Sequence, residues 1–183
     1  MADAAIAGFA ASRGRAYFTA HRPSTGREPW VSDGTPGGTQ LLVDAMPGDR
    51  DSVVSHFVDY RGETWFVAGG RFWRTRGIAA STVLAIPGNF NWLVRAGDWM
   101  YVTTVDCVLR TDGTAAGTST VFQEPATSVG GILPHGDRIV FTVILSNYQR
   151  RIYRSDGTPG GTQSGFTANA PDFPVDVAVD DQT

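Results

Sequence analysis

Three histidines, three aspartate-glycine pairs and a cluster of tryptophans and arginines are the residues of this 183-residue chain with chemistry to offer. A histidine zinc site needs close spacing or convergence, and His21, His56 and His135 lie in three distant stretches. Asp33-Gly34-Thr35, Asp112-Gly113-Thr114 and Asp156-Gly157-Thr158 bring one carboxylate each. Calcium takes six to eight oxygens, so one carboxylate per site reads as a turn rather than a cation site. A serine nucleophile lacks its Gly-x-Ser-x-Gly elbow, and a Gly-x-x-x-x-Gly-Lys phosphate loop needs lysine, which the chain does not contain. The pair Asp180-Asp181 reads as a solvated tail. Cys107 is single, which rules out an intrachain disulfide, and Val105-Asp106-Cys107-Val108-Leu109 reads as a strand with a small buried thiol. The expectation is no catalytic residue, no metal and no cofactor, with a hydrolase the least supported class.

Binding chemistry is better represented. Trp65, Trp73, Trp92 and Trp99 fall within 35 positions, accompanied by Arg74, Arg76, Asn89 and Asn91. Large aromatics of this kind mostly fill the space between packed sheets. The alternative is a sugar platform, a ring face stacking on a pyranose with arginine and asparagine supplying hydrogen bonds. Trp65, Trp73, Arg74, Arg76, Trp92 and Trp99 are the candidate ligand or partner contacts.

The elements that must position these side chains recur. Ser32-Asp33-Gly34-Thr35-Pro36-Gly37-Gly38-Thr39 returns as residues 111–118 and 155–162, with a degenerate copy, Thr75-Arg76-Gly77-Ile78-Ala79-Ala80-Ser81-Thr82, between the first two. The anchors at 33, 76, 112 and 156 are spaced by about 43, 36 and 44 residues, a period of propellers and solenoids. Before each octet comes a glycine turn and a short apolar run: Gly14 to Phe18, Gly62 to Phe66, Gly97 to Tyr101 and Gly136 to Phe141. No segment holds a helical apolar period, which excludes helical solenoids. In the third unit, Phe90 to Ala96, Trp99 to Val105, Cys107 to Arg110 and Ser119 to Phe122 read as four hairpin-linked strands; in the second, Val53 to Val58 reads as the first. The predicted fold is all-β: a β-propeller or propeller-like array of about four four-stranded antiparallel blades. The units are approximately 4–46, 52–87, 90–123 and 127–169 of a single repeat domain, with residues 172–183 an extra terminal strand or tail.

Each Asp-Gly pair is predicted to form a type I′ hairpin turn, with the aspartate and threonine side chains bonding the loop and the second glycine adding another left-handed residue. Asp33, Gly34, Thr35, Asp112, Gly113, Thr114, Asp156, Gly157 and Thr158 are therefore structural turn residues.

The segment Arg27 to Thr39 resembles the signature of the bacterial ELWxxDGT-repeat proteins, through Glu28, Trp30, Asp33, Gly34, Thr35, Gly38 and Thr39, with Pro29 in place of leucine. The other copies keep only its second half. The resemblance implies a propeller-like module, exported or surface-attached in a bacterium, with no defined chemistry.

Composition narrows the partners. The net charge is −3 and all fifteen basic residues are arginine, without the basic excess of a nucleic-acid binder. No stretch approaches the 18 apolar residues of a membrane span. The N-terminal residues lack the basic flank of a signal peptide. Both Ala4 to Ala10 and Val175 to Val179 read as inner strands. A closed four-bladed ring, a half that dimerises and a piece of a longer array all remain open. The expected function is a structural or protein-interaction module, extracellular or in the bacterial cell envelope, with a protein partner or self-association through strand edges; a glycan-binding lectin is the alternative.

Overall fold

Short apolar runs punctuated by glycine turns give strands joined by hairpins, because a tight turn returns the chain antiparallel to itself. The computed structural model describes residues 6–125 and 127–168, in four four-stranded sheets. The first contains β1 (Ile6–Ser12), β2 (Arg15–Arg22), β3 (Gly26–Ser32) and β4 (Gln40–Leu41). The second contains β5 (Val58–Tyr60), β6 (Glu63–Ala68), β7 (Arg71–Thr75) and β8 (Val83–Ile86), with a short 3₁₀ turn, Ala79–Ser81, before its last strand. The third contains β9 (Trp92–Ala96), β10 (Trp99–Thr103), β11 (Cys107–Thr111) and β12 (Ser119–Gln123). The fourth contains β13 (Ser128–His135), β14 (Arg138–Ile144), β15 (Arg150–Ser155) and β16 (Gln163–Ala168). Spatial order follows chain order in every sheet, and hairpin-linked strands such as β1–β2, β2–β3, β6–β7 and β14–β15 run antiparallel. The proposed strand at 175–179 and the acidic pair 180–181 lie outside the described residues.

The second unit departs from the strand expected over Val53 to Val58. Only Val58–Tyr60 joins the ladder, and upstream Val54 makes an isolated bridge to Ala68 while the Ser55 amide donates to the Val67 carbonyl. The first strands of the first and fourth sheets shift register between Ala7 and Ala10 and between Val129 and Ile132. The second sheet splits its inner strand outright, an irregularity that side-chain alternation alone does not reveal.

Two compact units divide the chain: the stretch to Leu93 with the hairpin tip Gly113–Ala116, and Val94–Asp112 with the stretch from Gly117. In the first, Tyr17, Val31, Leu42, Phe66 and Ala68 form one buried cluster, and Phe18, Ala20 and Trp30 another. In the second, Tyr101, Val108, Ile139, Phe141 and Tyr153 form the centre, with Phe141 stacked on Tyr153 at 5.3 Å. Each such ring contributes about 1.5–3 kcal/mol by leaving water.

The second strand of a sheet carries most of this burial. β2 buries Tyr17 to Ala20 without a break, β6 Thr64 to Ala68, and β10 Met100 to Thr103. Continuous burial means that both faces of the strand are covered. β14 alternates instead: Ile139, Phe141 and Val143 are buried, while Val140, Thr142 and Ile144 are half-buried.

Candidate functional site

The repeated corners come first, because their chemistry is self-contained. In the first, the Thr35 amide and hydroxyl both donate to Asp33 Oδ1, at 3.0 and 2.7 Å. Thr35 Oγ1 accepts from the Gly38 amide at 2.9 Å, and Ser32 Oγ accepts from the Gly34 amide at 3.0 Å. The Ser32 and Thr39 hydroxyls bond each other at 2.7 Å across the base of the loop. The fourth corner repeats this network: Thr158 on Asp156, Gly161 on Thr158, Gly157 on Ser155, and Ser155 with Thr162 at 2.8 Å. Thr111 and Thr118 make the same clasp at 2.7 Å in the third. The degenerate second corner, with arginine for aspartate, keeps it too, Thr82 Oγ1 donating to Thr75 Oγ1 at 2.9 Å. The hydroxyl pair is thus the more constant fastener, although the Asp-Gly-Thr core is the louder sequence signal. A Ser or Thr at each end of every octet was the clue available for it.

The type I′ reading of these corners is corrected. Gly34, Gly113 and Gly157 have φ of 92°, 94° and 90°, but none of the aspartates has positive φ, and neither have Gly38, Gly117 and Gly161. The loop is a longer excursion in which the aspartate oxygen, held by the threonine two residues on, replaces the second left-handed residue. The second glycine serves space: a Cβ on Gly38, Gly117 or Gly161 would overlap the carboxylate of Asp33, Asp112 or Asp156. Paired positive φ occurs instead at Arg13-Gly14, Arg61-Gly62 and Gly69-Gly70, in the β1–β2, β5–β6 and β6–β7 hairpins. The threonine hydroxyl, then the threonine amide, holds the Asp33 and Asp156 carboxyls below the usual aspartate range. Among the described residues no group of three or more His, Cys, Asp and Glu side chains could hold a metal ion.

The tryptophan-arginine set does not form one platform. Trp65 is buried and its Nε1 donates to the Tyr60 carbonyl at 3.2 Å; Trp73 is half-buried and donates to Ala68 at 3.0 Å. Arg74 and Arg76 converge on a residue the sequence had not marked, Glu63, at 2.8 and 3.0 Å. Burial pushes the Glu63 carboxyl up, and the two guanidiniums together outweigh it, leaving the group below the ordinary range. Arg74 also lies over the Trp65 ring at 5.8 Å. Trp99 is half-buried beneath the Arg110 guanidinium at 4.3 Å. Cys107 is half-buried rather than buried, and burial raises its thiol pKa.

Trp92 is different. It is 39% exposed, lies 6.1 Å from the His56 ring, and with it lines a half-open cleft of about 240 Å³. Phe9, Ala10, Thr19, Val54, Ser55 and Phe57 complete the lining. Phe9 is 70% exposed and stacks on Phe18 at 5.8 Å. Ser55 Oγ is buried and, among the described residues, has no hydrogen-bond partner. These groups come from β1, β2, the irregular stretch before β5, and the start of β9, so no local motif announces them. Of the three histidines, His56 alone lines this cleft; His21 is the penultimate residue of β2 and His135 ends β13.

No protein-family profile matches the chain, and no curated protein is significantly similar to it. Solved structures are. A prolyl endopeptidase structure superposes with a TM-score of 0.57 at 13% identity, covering 90% of this chain and 26% of that one. The computationally designed Ika8 protein gives 0.54 at 10% identity, covering 89% and 48%, and the tricorn protease 0.53 at 12%, covering 82% and 17%. The fold is of the β-propeller type. At such identities the likeness extends to the fold alone, and this chain spans less than half the length of each of these proteins. Among the described residues no helix is long and apolar enough to cross a membrane.

Proposed function

We propose that this chain is a non-catalytic propeller-type module that binds another protein through the cleft at Trp92, within a bacterial surface or extracellular assembly. The observation carrying the reading is an exposed tryptophan and an exposed phenylalanine lining one concave, mainly apolar surface. Aromatic anchors that seat in or beside such pockets dominate protein–protein binding energy. The surface or extracellular location rests on the resemblance of the Arg27 to Thr39 segment to ELWxxDGT repeats.

A carbohydrate-binding role is the second reading, favoured by the half-exposed face of Trp92. Its polar complement is weaker than the sequence promised. Arg74 and Arg76 are engaged by Glu63, and Asn89 packs its side-chain oxygen against Gly70. A polyhydroxylated sugar needs several directed partners, whereas the cleft offers Thr19, Ser55 and His56.

A displayed peptide library and a glycan array, each probed with wild type and Trp92→Ala, separate the readings. A partner-binding cleft gives peptide ligands whose affinity falls at least about tenfold in Trp92→Ala, since an anchor is worth 2 kcal/mol or more. Circular dichroism should be unchanged. Glycan binding lost in the same variant would replace this reading with the lectin, and binding of either kind unaffected by the substitution would move the site elsewhere.

A further inference from the structure

The last strand of each sheet pairs with one neighbour, and among the described residues no strand lies against its outer edge. Such edges are usually blunted by shortness, charge or proline. β4 has two residues, while β12 and β16 open on the polar pairs Ser119-Thr120 and Gln163-Ser164. β8 has neither protection. The run from Ile78 to Ile86 holds no charged residue, glycine or proline, and Ile78, Val83 and Leu84 in it are 42%, 42% and 45% exposed. All lie in the middle of the sequence, within the first compact unit.

The pairing register gives the two faces of this edge different chemistry. On one face Phe66, Trp73 and Leu84 stand opposite one another across β6, β7 and β8, an apolar row whose last member is exposed. On the other, Trp65, Arg74 and Val83 form the next row, with Glu63 and Arg76 on the same face by strand alternation. Glu63 holds both Arg74 and Arg76, and one carboxylate against two guanidiniums leaves this face positive. The Arg76 side chain is 74% exposed. A strand added beside β8 therefore extends the first row with apolar side chains and meets the arginines of the second with acidic ones. Its backbone takes up the outward amides and carbonyls of β8.

We infer that the outer edge of β8 accepts an extended segment of a partner protein, alternating apolar and acidic residues, as an added strand of the second sheet. Pairing of β8 with β8 of a second copy is disfavoured, because a two-fold edge contact brings two positive faces together. The edge shares no residue with the lining of the Trp92 cleft, so the inference goes beyond the proposed function and does not depend on it.

Fluorescence polarisation of the full chain with a labelled, end-blocked Val-Asp-Val-Asp-Val-Asp-Val peptide tests it. Wild type should bind the peptide saturably, and should bind its lysine-for-aspartate counterpart about tenfold more weakly or worse. Leu84→Asp breaks the apolar row at an exposed position and should weaken binding by about tenfold with an unchanged circular dichroism spectrum. N-methylation of all the valine amides blocks one edge of the peptide, and of all the aspartate amides the other; one pattern should abolish binding and the other spare it. A wild type that binds no peptide overturns the inference, as does equal affinity in Leu84→Asp or for the lysine peptide. Indifference to both methylation patterns overturns strand addition, and loss of binding in Trp92→Ala would assign the peptide to the cleft and overturn the β8 site.

Discussion

At Asp156 the carboxylate receives two short bonds from one threonine and sits on the surface. Its pKa is depressed in the folded chain, so the stability it contributes is present above the unfolded aspartate value and drains away as pH falls through the lower, folded one. Urea unfolding of Asp156→Asn should therefore show a flatter dependence between pH 7 and pH 3 than wild type, the curves converging at the acid end. Curves that stay parallel would detach the corner from acid sensitivity. The Asp-Gly-Thr positions were legible in sequence because small polar residues recur there and little else competes to explain them. The geometry of the loop was not: a two-residue turn and a longer loop closed by an aspartate oxygen both call for Asp-Gly. Only the hydroxyls at the two ends distinguish them.

β3 and the loop that follows β4 show what an element can hide. Glu28 is fully buried, yet it accepts from the Ala45 amide at 3.0 Å, the Met46 amide at 3.3 Å and the Ser52 hydroxyl at 2.8 Å. Asp51 and Ser52 bond the backbone of Arg27 next door, tying residues 42–52 along the strand. The Glu28→Ala variant should lose about 3 kcal/mol, the cost of stranding buried donors. Burial is the largest influence on this carboxyl and raises its pKa over the opposing hydrogen bonds. Its stabilisation is then greatest below the ordinary glutamate range and declines as pH rises through the raised value, so chemical denaturation should find the loss larger near pH 4.5 than at pH 8. In the sequence Glu28 was visible only as a match to a repeat signature. Its burial follows from a loop folding back over the strand, which residue spacing does not encode. Likewise the apolar runs located β2, β6 and β10, while the split before β5 escaped because Val53 to Val58 is as apolar as a real strand.

For the whole molecule, four hairpin-linked sheets were readable from the period alone, and the propeller-type architecture follows from stacking such units. The Trp92 cleft was not readable, since its walls come from four stretches brought together only by folding. Central to this account is the seating of each octet corner after the first on the preceding sheet's second strand, where a Cβ on Gly77, Gly113 or Gly157 would crowd Tyr17, Trp65 or Tyr101. Thermal unfolding of Gly34→Ala and Gly157→Ala tests this most directly. Both variants bear the left-handed backbone cost of about 1 kcal/mol, but only the second pushes a methyl into a neighbouring tyrosine. Overpacking of that kind costs a further ~2 kcal/mol, so Gly157→Ala should melt about 5 °C below Gly34→Ala. Equal melting temperatures would contradict the account.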